Sequence, residues 1–369
     1  MQFKEVIGQA TAKSLLRRMA DNDRIPHALM LLSMPGSGGL PLALAFAQYA
    51  LCENRTGGDA CGSCRSCLKT SKLVHPDLHF TFPTVGTNVT SDQHLEAWRK
   101  AMQETPYLDA NQWLQKIGAE NKQGNINKEA CSKIIKKLSL KIFEGRYKIM
   151  LIWLPEYLGK EGNRLLKLIE EPPDNTLLLF VAQNQELILN TILSRCQLVK
   201  VPALSDEEVE QALMKSKNMT LEQARPIAQL AGGNFNEALS IADQPQSDNS
   251  TMFLDWMRKC YIGNGVELVN WVETFAKLGR ENQKQFLRYG LHFMRGYMTL
   301  KMAGADSDNI RLLPKERTTA QNLTKVIGFD QIGHIVELFD DCAFSIERNA
   351  NQKILFLDAS IKLNKILRR

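Results

Sequence analysis

Four cysteines carry the clearest chemistry in this chain: Cys52, Cys61, Cys64 and Cys67, spaced C-x8-C-x2-C-x2-C. Two-residue gaps let neighbouring thiolates converge on one ion. Four soft sulfurs in a tetrahedron suit zinc and leave no open position for catalysis. Gly57, Gly58 and Gly62 supply the tight bends. The spacing predicts a structural zinc knuckle. The rival is an iron–sulfur cluster, because C-x2-C-x2-C begins the ferredoxin run. That run continues x3-C-P, whereas this chain continues Leu68-Lys69-Thr70-Ser71. His75 and His79 follow as stand-in ligands, although four cysteines suffice.

A second constellation is the turn Ser33-Met34-Pro35-Gly36-Ser37-Gly38-Gly39-Leu40. It follows an apolar run, Leu29 to Leu32, that reads as a buried parallel strand. It precedes a helix with Pro41 in the first turn, where a missing N–H costs little. Strand, glycine-rich turn and helix is the layout of a phosphate-binding loop. That pattern ends in Gly-Lys-Ser/Thr, and the three positions here are Gly38, Gly39 and Leu40. Glycine brings no charge to phosphate and leucine no hydroxyl to magnesium. On this stretch alone, a glycine-rich bend without a nucleotide is the favoured reading.

The elements around these residues follow from periodicity. Residues 4–22 read as a helix with Leu15, Leu16 and Met19 on one side. His27 reads as a hydrogen-bonded structural histidine. His75 to Phe80 turns into a second strand. Gly86 to Gly124 is a polar stretch with helical patterns around Leu95/Trp98/Met102 and Trp113/Leu114/Ile117, read as a surface excursion packed by its tryptophans. Asn127 caps a helix through Leu140, with Ile134, Ile135 and Leu138 facing inward. Ile149 to Leu154 is a core strand, and Glu156 beyond it reads as a solvated loop residue. A helix from Asn163 stops at Pro172-Pro173, Thr176 to Val181 is the next strand, and Ser194-Arg195-Cys196 precedes the strand Leu198–Val201. Alternating strands and helices predict a three-layer α/β domain on a parallel sheet. Ser205/Glu208 and Thr220/Gln223 make capping boxes in a small helical segment, and Gln244 to Ser250 has a linker's composition. From Thr251 onward the pattern is helical, interrupted at Gly304–Asp308 and Leu313-Pro314, and it ends basic (Lys362, Lys365, Arg368, Arg369).

The 369 residues suffice for two or three domains. A net charge of +6 permits a polyanionic partner without demanding one. The start, MQFKEVIGQA, lacks the order of a secretory signal, and no apolar stretch is long enough for a bilayer, so a cytoplasmic protein is expected.

These motifs resemble, in order and spacing, the clamp-loader branch of the AAA+ family, in particular that of the bacterial DNA polymerase III. The resemblance covers Val6-Ile7-Gly8-Gln9, Ile25-Pro26-His27-Ala28, the altered turn and the four-cysteine insertion. It continues through Asn163-Arg164-Leu165-Leu166-Lys167, Glu170-Glu171-Pro172-Pro173, Ser194-Arg195-Cys196, Gly232-Gly233-Asn234 and Arg348-Asn349-Ala350-Asn351. Gly86–Gly124 departs from it as an insertion. The resemblance implies an AAA+ domain over 1–201 (zinc insertion 52–67, extra insertion 86–124), a helical lid over 202–245 and a helical collar over 251–369.

The resemblance also gives the missing residues meaning. Where hydrolysing relatives carry the loop lysine and threonine, this chain has Gly39 and Leu40. Where they carry the magnesium Asp and the water-polarising Glu, it has Trp153 and Leu154. Asn236 stands for the lid arginine, and Gln183 keeps a polar sensor position. Each loss removes a contact to the nucleotide or its metal, so hydrolysis and tight ATP binding are not expected of the isolated chain. Arg195 is the exception. In the family the Ser-Arg-Cys arginine reaches a neighbour's ATP, and a planar, permanently charged fork fits that role. Outside the family context, pairing with a surface carboxylate is the favoured reading.

The resemblance thus implies a non-hydrolysing subunit of a loader that places a sliding clamp on primer–template DNA, within the polymerase holoenzyme. The expected partners are gamma/tau ATPase subunits and the delta subunit, with clamp and DNA met through the assembly. The alternatives are an AAA+ ATPase with an atypical site, or a zinc-containing nucleic-acid-binding module. The latter is disfavoured because Arg55, Arg65 and Lys69 are the only cations near the cysteines.

Overall fold

Five aliphatic runs form one sheet: β1 (Ala28–Ser33), β2 (Leu78–Thr81), β3 (Lys148–Trp153), β4 (Thr176–Ala182) and β5 (Gln197–Val201). All pairings are parallel, in the order β2-β3-β4-β1-β5. The central strands read as unbroken hydrophobic runs because both faces are covered. Alternate residues serve different cores. Leu29, Leu31, Ile149, Leu151, Trp153, Leu177 and Leu179 enter one, and Met30, Met150, Ile152, Leu178 and Phe180 enter the other. The fold is therefore the three-layer α/β arrangement expected from the sequence.

The computed structural model describes residues 1–119, 122–243, 249–304, 312, 314–324, 326–348 and 350–368. The chain divides into two compact units, Met1–Ser240 and Ile241–Arg369. In the first, α1 (Ala10–Asp21), α2 (Gly39–Leu51), α3 (Arg65–Ser71), α4 (Leu95–Glu104) and α5 (Ala110–Lys116) contribute to the first core. Every residue of α2 is buried, as its near-absence of polar positions demands. The opposite face is covered by α6 (Lys128–Ser139), a kinked 3-10 stretch over Pro155–Leu165, α7 (Leu166–Glu170) and α8 (Asn190–Leu193). Then follow α9 (Asp206–Lys217), α10 (Leu221–Ala231) and α11 (Phe235–Asp243). Both predicted capping boxes form, at Ser205/Glu208 and Thr220/Gln223.

The second unit is helical: α12 (Asn249–Ile262), α13 (Gly265–Phe275), α14 (Arg280–Ala303), α15 (Pro314–Leu323), α16 (Phe329–Glu347) and α17 (Gln352–Leu367). Its core centres on Trp256, stacked on Trp271 at 5.5 Å, with the indole N–H donating to Ser360 Oγ at 2.9 Å. The expected linker lies partly outside the described residues (244–248), and its last two residues, Asn249 and Ser250, already belong to α12. Residues 305–308 of the expected interruption, Leu313, Asn349 and Arg369 also lie outside the description.

Several local expectations are corrected. The first helix begins at Ala10, not residue 4, because Gly8 (φ 53°) and Gln9 (φ 57°) break the chain left-handed after a short 3-10 turn at Phe3–Glu5. Ile135 is 39% exposed, while Ile134 and Leu138 carry the inward face of α6. His27 is exposed. The helix expected from Asn163 is 3-10 up to Leu165 and α-helical only from Leu166. Gly86–Gly124 is more than a surface excursion. Trp98 and Trp113 are fully buried in the first core, with Trp98 stacked on Phe82 at 4.3 Å and 5.3 Å from Trp153.

Candidate functional site

The cysteine loop lies between α2 and α3. Cys52 ends α2, and Cys64 is the N-cap of α3, accepting from the Cys67 N–H at 3.4 Å. The bends between them use left-handed glycines, Gly57, Gly58 and Gly62. The four Sγ atoms lie within 4.8 Å of one another. Backbone N–H groups also point at the sulfurs: Cys61 N–H donates to Cys52 Sγ and Cys64 N–H to Cys61 Sγ, both at 3.3 Å. Such donors stabilise thiolate over thiol. The N–H groups of Cys64 and Ser63 draw the Cys61 thiol down to about 6, while burial pushes Cys52 and Cys67 up. These sulfurs fit a soft, tetrahedral cation.

Neither histidine joins the cysteine group. The His75 ring is turned into its own bend, with Nδ1 accepting from the Asp77 N–H at 3.1 Å and Nε2 3.6 Å from Glu144 Oε1. His79 lies in β2.

The glycine turn has the shape of a phosphate loop, with Gly36 (φ 66°) and Gly38 (φ 97°) left-handed and Gly38 capping α2. Its surroundings are closed. A Cβ on Gly39, where the pattern has lysine, would run into Ser33 Oγ, which donates to Ala182 O at 3.1 Å. Leu40 is buried. A Cβ on Gly36 would overlap Asn234 Oδ1, and the Phe235 N–H donates to Gly36 O at 3.1 Å. Gln9, buried, donates from Nε2 to Ser37 O at 3.0 Å and Pro202 O at 2.7 Å. Tyr107, from the inserted segment, covers Gly38. Sequence reasoning singled out neither Gln9's role nor Tyr107. The one local signal near the latter is the Asp109/Gln112 capping box of α5.

At the strand ends, Trp153 and Leu154 are buried in the first core and offer no ligand oxygen. Glu156 is not a solvated loop residue. Its Oε1 accepts from the N–H groups of Gln183 and Asn184, its Oε2 is buried without a partner, and burial raises its pKa. It ties the end of β3 to the end of β4. Asn236 is buried and donates to Asp109 Oδ2 at 3.4 Å.

Arg195 follows α8 at the edge of the sheet, just before β5. Its guanidinium meets the Glu170 carboxylate at the end of α7, with Nε 2.6 Å and Nη2 2.5 Å from Oε1. Nη1 donates to Thr191 O at 2.9 Å. Both side chains of the pair stand in solvent. The structure thus keeps the cysteine group, the glycine turn and Arg195 as separate places in the first unit.

Residues 8–205 match the model of a family described as DNA polymerase III, delta subunit. The chain is 26% identical to the DNA polymerase III subunit delta' of Bacillus subtilis over 63% of this chain and 59% of that one. It is 24% identical to the Escherichia coli delta' subunit over 60% and 55%. It is 25% identical to the Escherichia coli tau subunit over 66% of this chain and 32% of that one. The matched region thus spans between half and three fifths of the two delta' relatives. Among solved structures, a DNA polymerase III gamma subunit-related protein of Thermotoga maritima aligns over 97% of this chain and all of that one, at 12% identity and a TM-score of 0.42.

Proposed function

Because the chain belongs to the DNA polymerase III delta-subunit family, with delta' subunits among its relatives, we propose that it is a delta'-type clamp-loader subunit. In this reading it hydrolyses no ATP and lends Arg195 to the site of an adjoining gamma/tau ATPase. It works in the cytoplasm beside those subunits and the delta subunit, and it meets the sliding clamp and primer–template DNA through the assembly.

The observation that carries the reading is the contrast between two positions. Position 39, where a phosphate-binding lysine would stand, has no room for a Cβ unless Ser33 shifts. Arg195 stands at the surface, held by a carboxylate that water also reaches. An exposed pair is worth about 0–1 kcal/mol, so a neighbour's phosphate can take the guanidinium from Glu170 at little cost. A planar fork of donors recognises phosphate oxygens. Cys52, Cys61, Cys64 and Cys67 would hold zinc, which supplies a cross-link and no reaction chemistry.

The test is the DNA- and clamp-stimulated ATPase rate of the reconstituted loader with Arg195→Ala at equal assembly. An arginine finger is worth on the order of a thousandfold at the site it completes, so a drop of at least tenfold is expected. An unchanged rate overturns the role.

A further inference from the structure

The segment between Gly86 and Gly124 brings the turn between α4 and α5 onto the glycine turn. Tyr107 is at the centre of this contact and is 8% exposed. Its hydroxyl accepts from the Ile7 N–H at 2.9 Å. Its ring lies against Gly38, where a Cβ would come within 3.1 Å of Cε1. The same ring meets Phe235 edge-on, with centroids 5.1 Å apart at 74°. Two residues on, Asp109 caps α5 with Oδ1 and accepts from Asn236 Nδ2 with Oδ2. From the other side Asn234 stands on Gly36 and the Phe235 N–H holds the Gly36 carbonyl.

A nucleotide on such a turn has its phosphate at the loop N–H groups and the helix N-terminus. Here that space lies between the Ile7–Gln9 bend, the glycine turn and residues 234–236. The Tyr107 phenol lies against Gly38 and the Asn234 carboxamide against Gly36, at its edge. Tyr107 and Asp109 join the Ile7 backbone and the glycine turn to the start of α11, with a hydroxyl, an aromatic ring and a carboxylate.

We infer that the inserted segment is the internal occupant of the nucleotide-equivalent crevice: Tyr107 fills it, and Tyr107 with Asp109 ties residues 234–236 to the glycine turn. The inserted segment so supplies this link from within the chain. This does not depend on Arg195 acting on a neighbour, so either idea can fail alone.

The experiment is amide hydrogen exchange on the full chain for wild type, Tyr107→Ala and Tyr107→Phe, with and without 1 mM ADP and Mg2+. Tyr107→Ala is expected to speed exchange at Ile7 and at Glu237–Ala238 by about tenfold or more, with β1, β3 and β4 still protected. Tyr107→Phe keeps the ring and is expected to speed exchange at Ile7 alone. ADP is expected to leave wild type unchanged. Unaltered exchange at 237–238 in Tyr107→Ala overturns the tie. Unaltered exchange at Ile7 in Tyr107→Phe, or protection of the glycine turn by ADP in wild type, overturns the occupancy. Should Tyr107→Ala fail to fold, the phenylalanine variant and the ADP arm decide the occupancy, and exchange at Glu237–Ala238 in Asp109→Ala decides the tie, unaltered exchange there overturning it.

Discussion

Arg195 grips a single oxygen of Glu170, with Nε and Nη2 both within 2.6 Å of Oε1. This is not the parallel two-oxygen fork that makes Arg–carboxylate pairs strong, and both partners are solvated. Glu170→Ala is therefore expected to change unfolding free energy by less than about 1 kcal/mol. Chemical denaturation measures it. A loss above about 2 kcal/mol would make the pair a structural clamp and Arg195 unavailable to a neighbour.

The cysteine group is expected to hold one zinc per chain by elemental analysis. Cys64→Ser removes a ligand and the sulfur that caps α3. Losing a structural metal is among the few changes that exceed the usual range, so a loss above about 3 kcal/mol is expected. Chelation of the wild type should reproduce that loss, and should do so more readily as acid protonates the thiolates. If the purified chain holds iron with visible charge-transfer bands, or holds no metal while melting identically with and without chelator, the zinc assignment fails.

What could be read from the sequence was what is local. The β1, β3 and β4 runs announced themselves because strands covered on both faces need apolar residues throughout. Asn127, Ser205 and Thr220 were legible as caps because their partners lie three residues away. The cysteine spacing was legible for the same reason. Glu156 was misread because its burial depends on N–H groups of Gln183 and Asn184, delivered by another strand. The break at Gly8-Gln9 was hidden inside an otherwise helical pattern. Tyr107 lies a hundred residues from Ile7, and no periodicity could have joined them.

The inserted segment is anchored through Trp98, which packs on Phe82, Trp113 (5.2 Å) and Trp153. Trp98→Ala is expected to cost about 3–5 kcal/mol. Trp98→Phe should cost far less than that, because Nε1 is buried without a partner and its removal relieves an unmet donor. Equal losses for the two variants in denaturant titrations would show that the indole N–H is satisfied in solution.

Acid should destabilise the first unit through His79. Burial in β2, aided by Lys137 and Lys148, lowers its pKa from 6.5 to about 4. The folded chain thus resists the proton that the unfolded chain accepts. Above pH 6.5 the ring is neutral in both states and the full stability is present. Between pH 6.5 and 4 the unfolded state binds the proton first, and stability falls by on the order of 2–3 kcal/mol. His75, also lowered by burial, adds in the same direction. Acid release of the bound metal shares this window, so wild type must be compared with His79→Gln rather than read alone. The variant is expected to lose less stability than wild type on going from pH 7 to pH 4.5. Parallel pH profiles for the two proteins would place the acid sensitivity elsewhere, with the metal site as the first alternative.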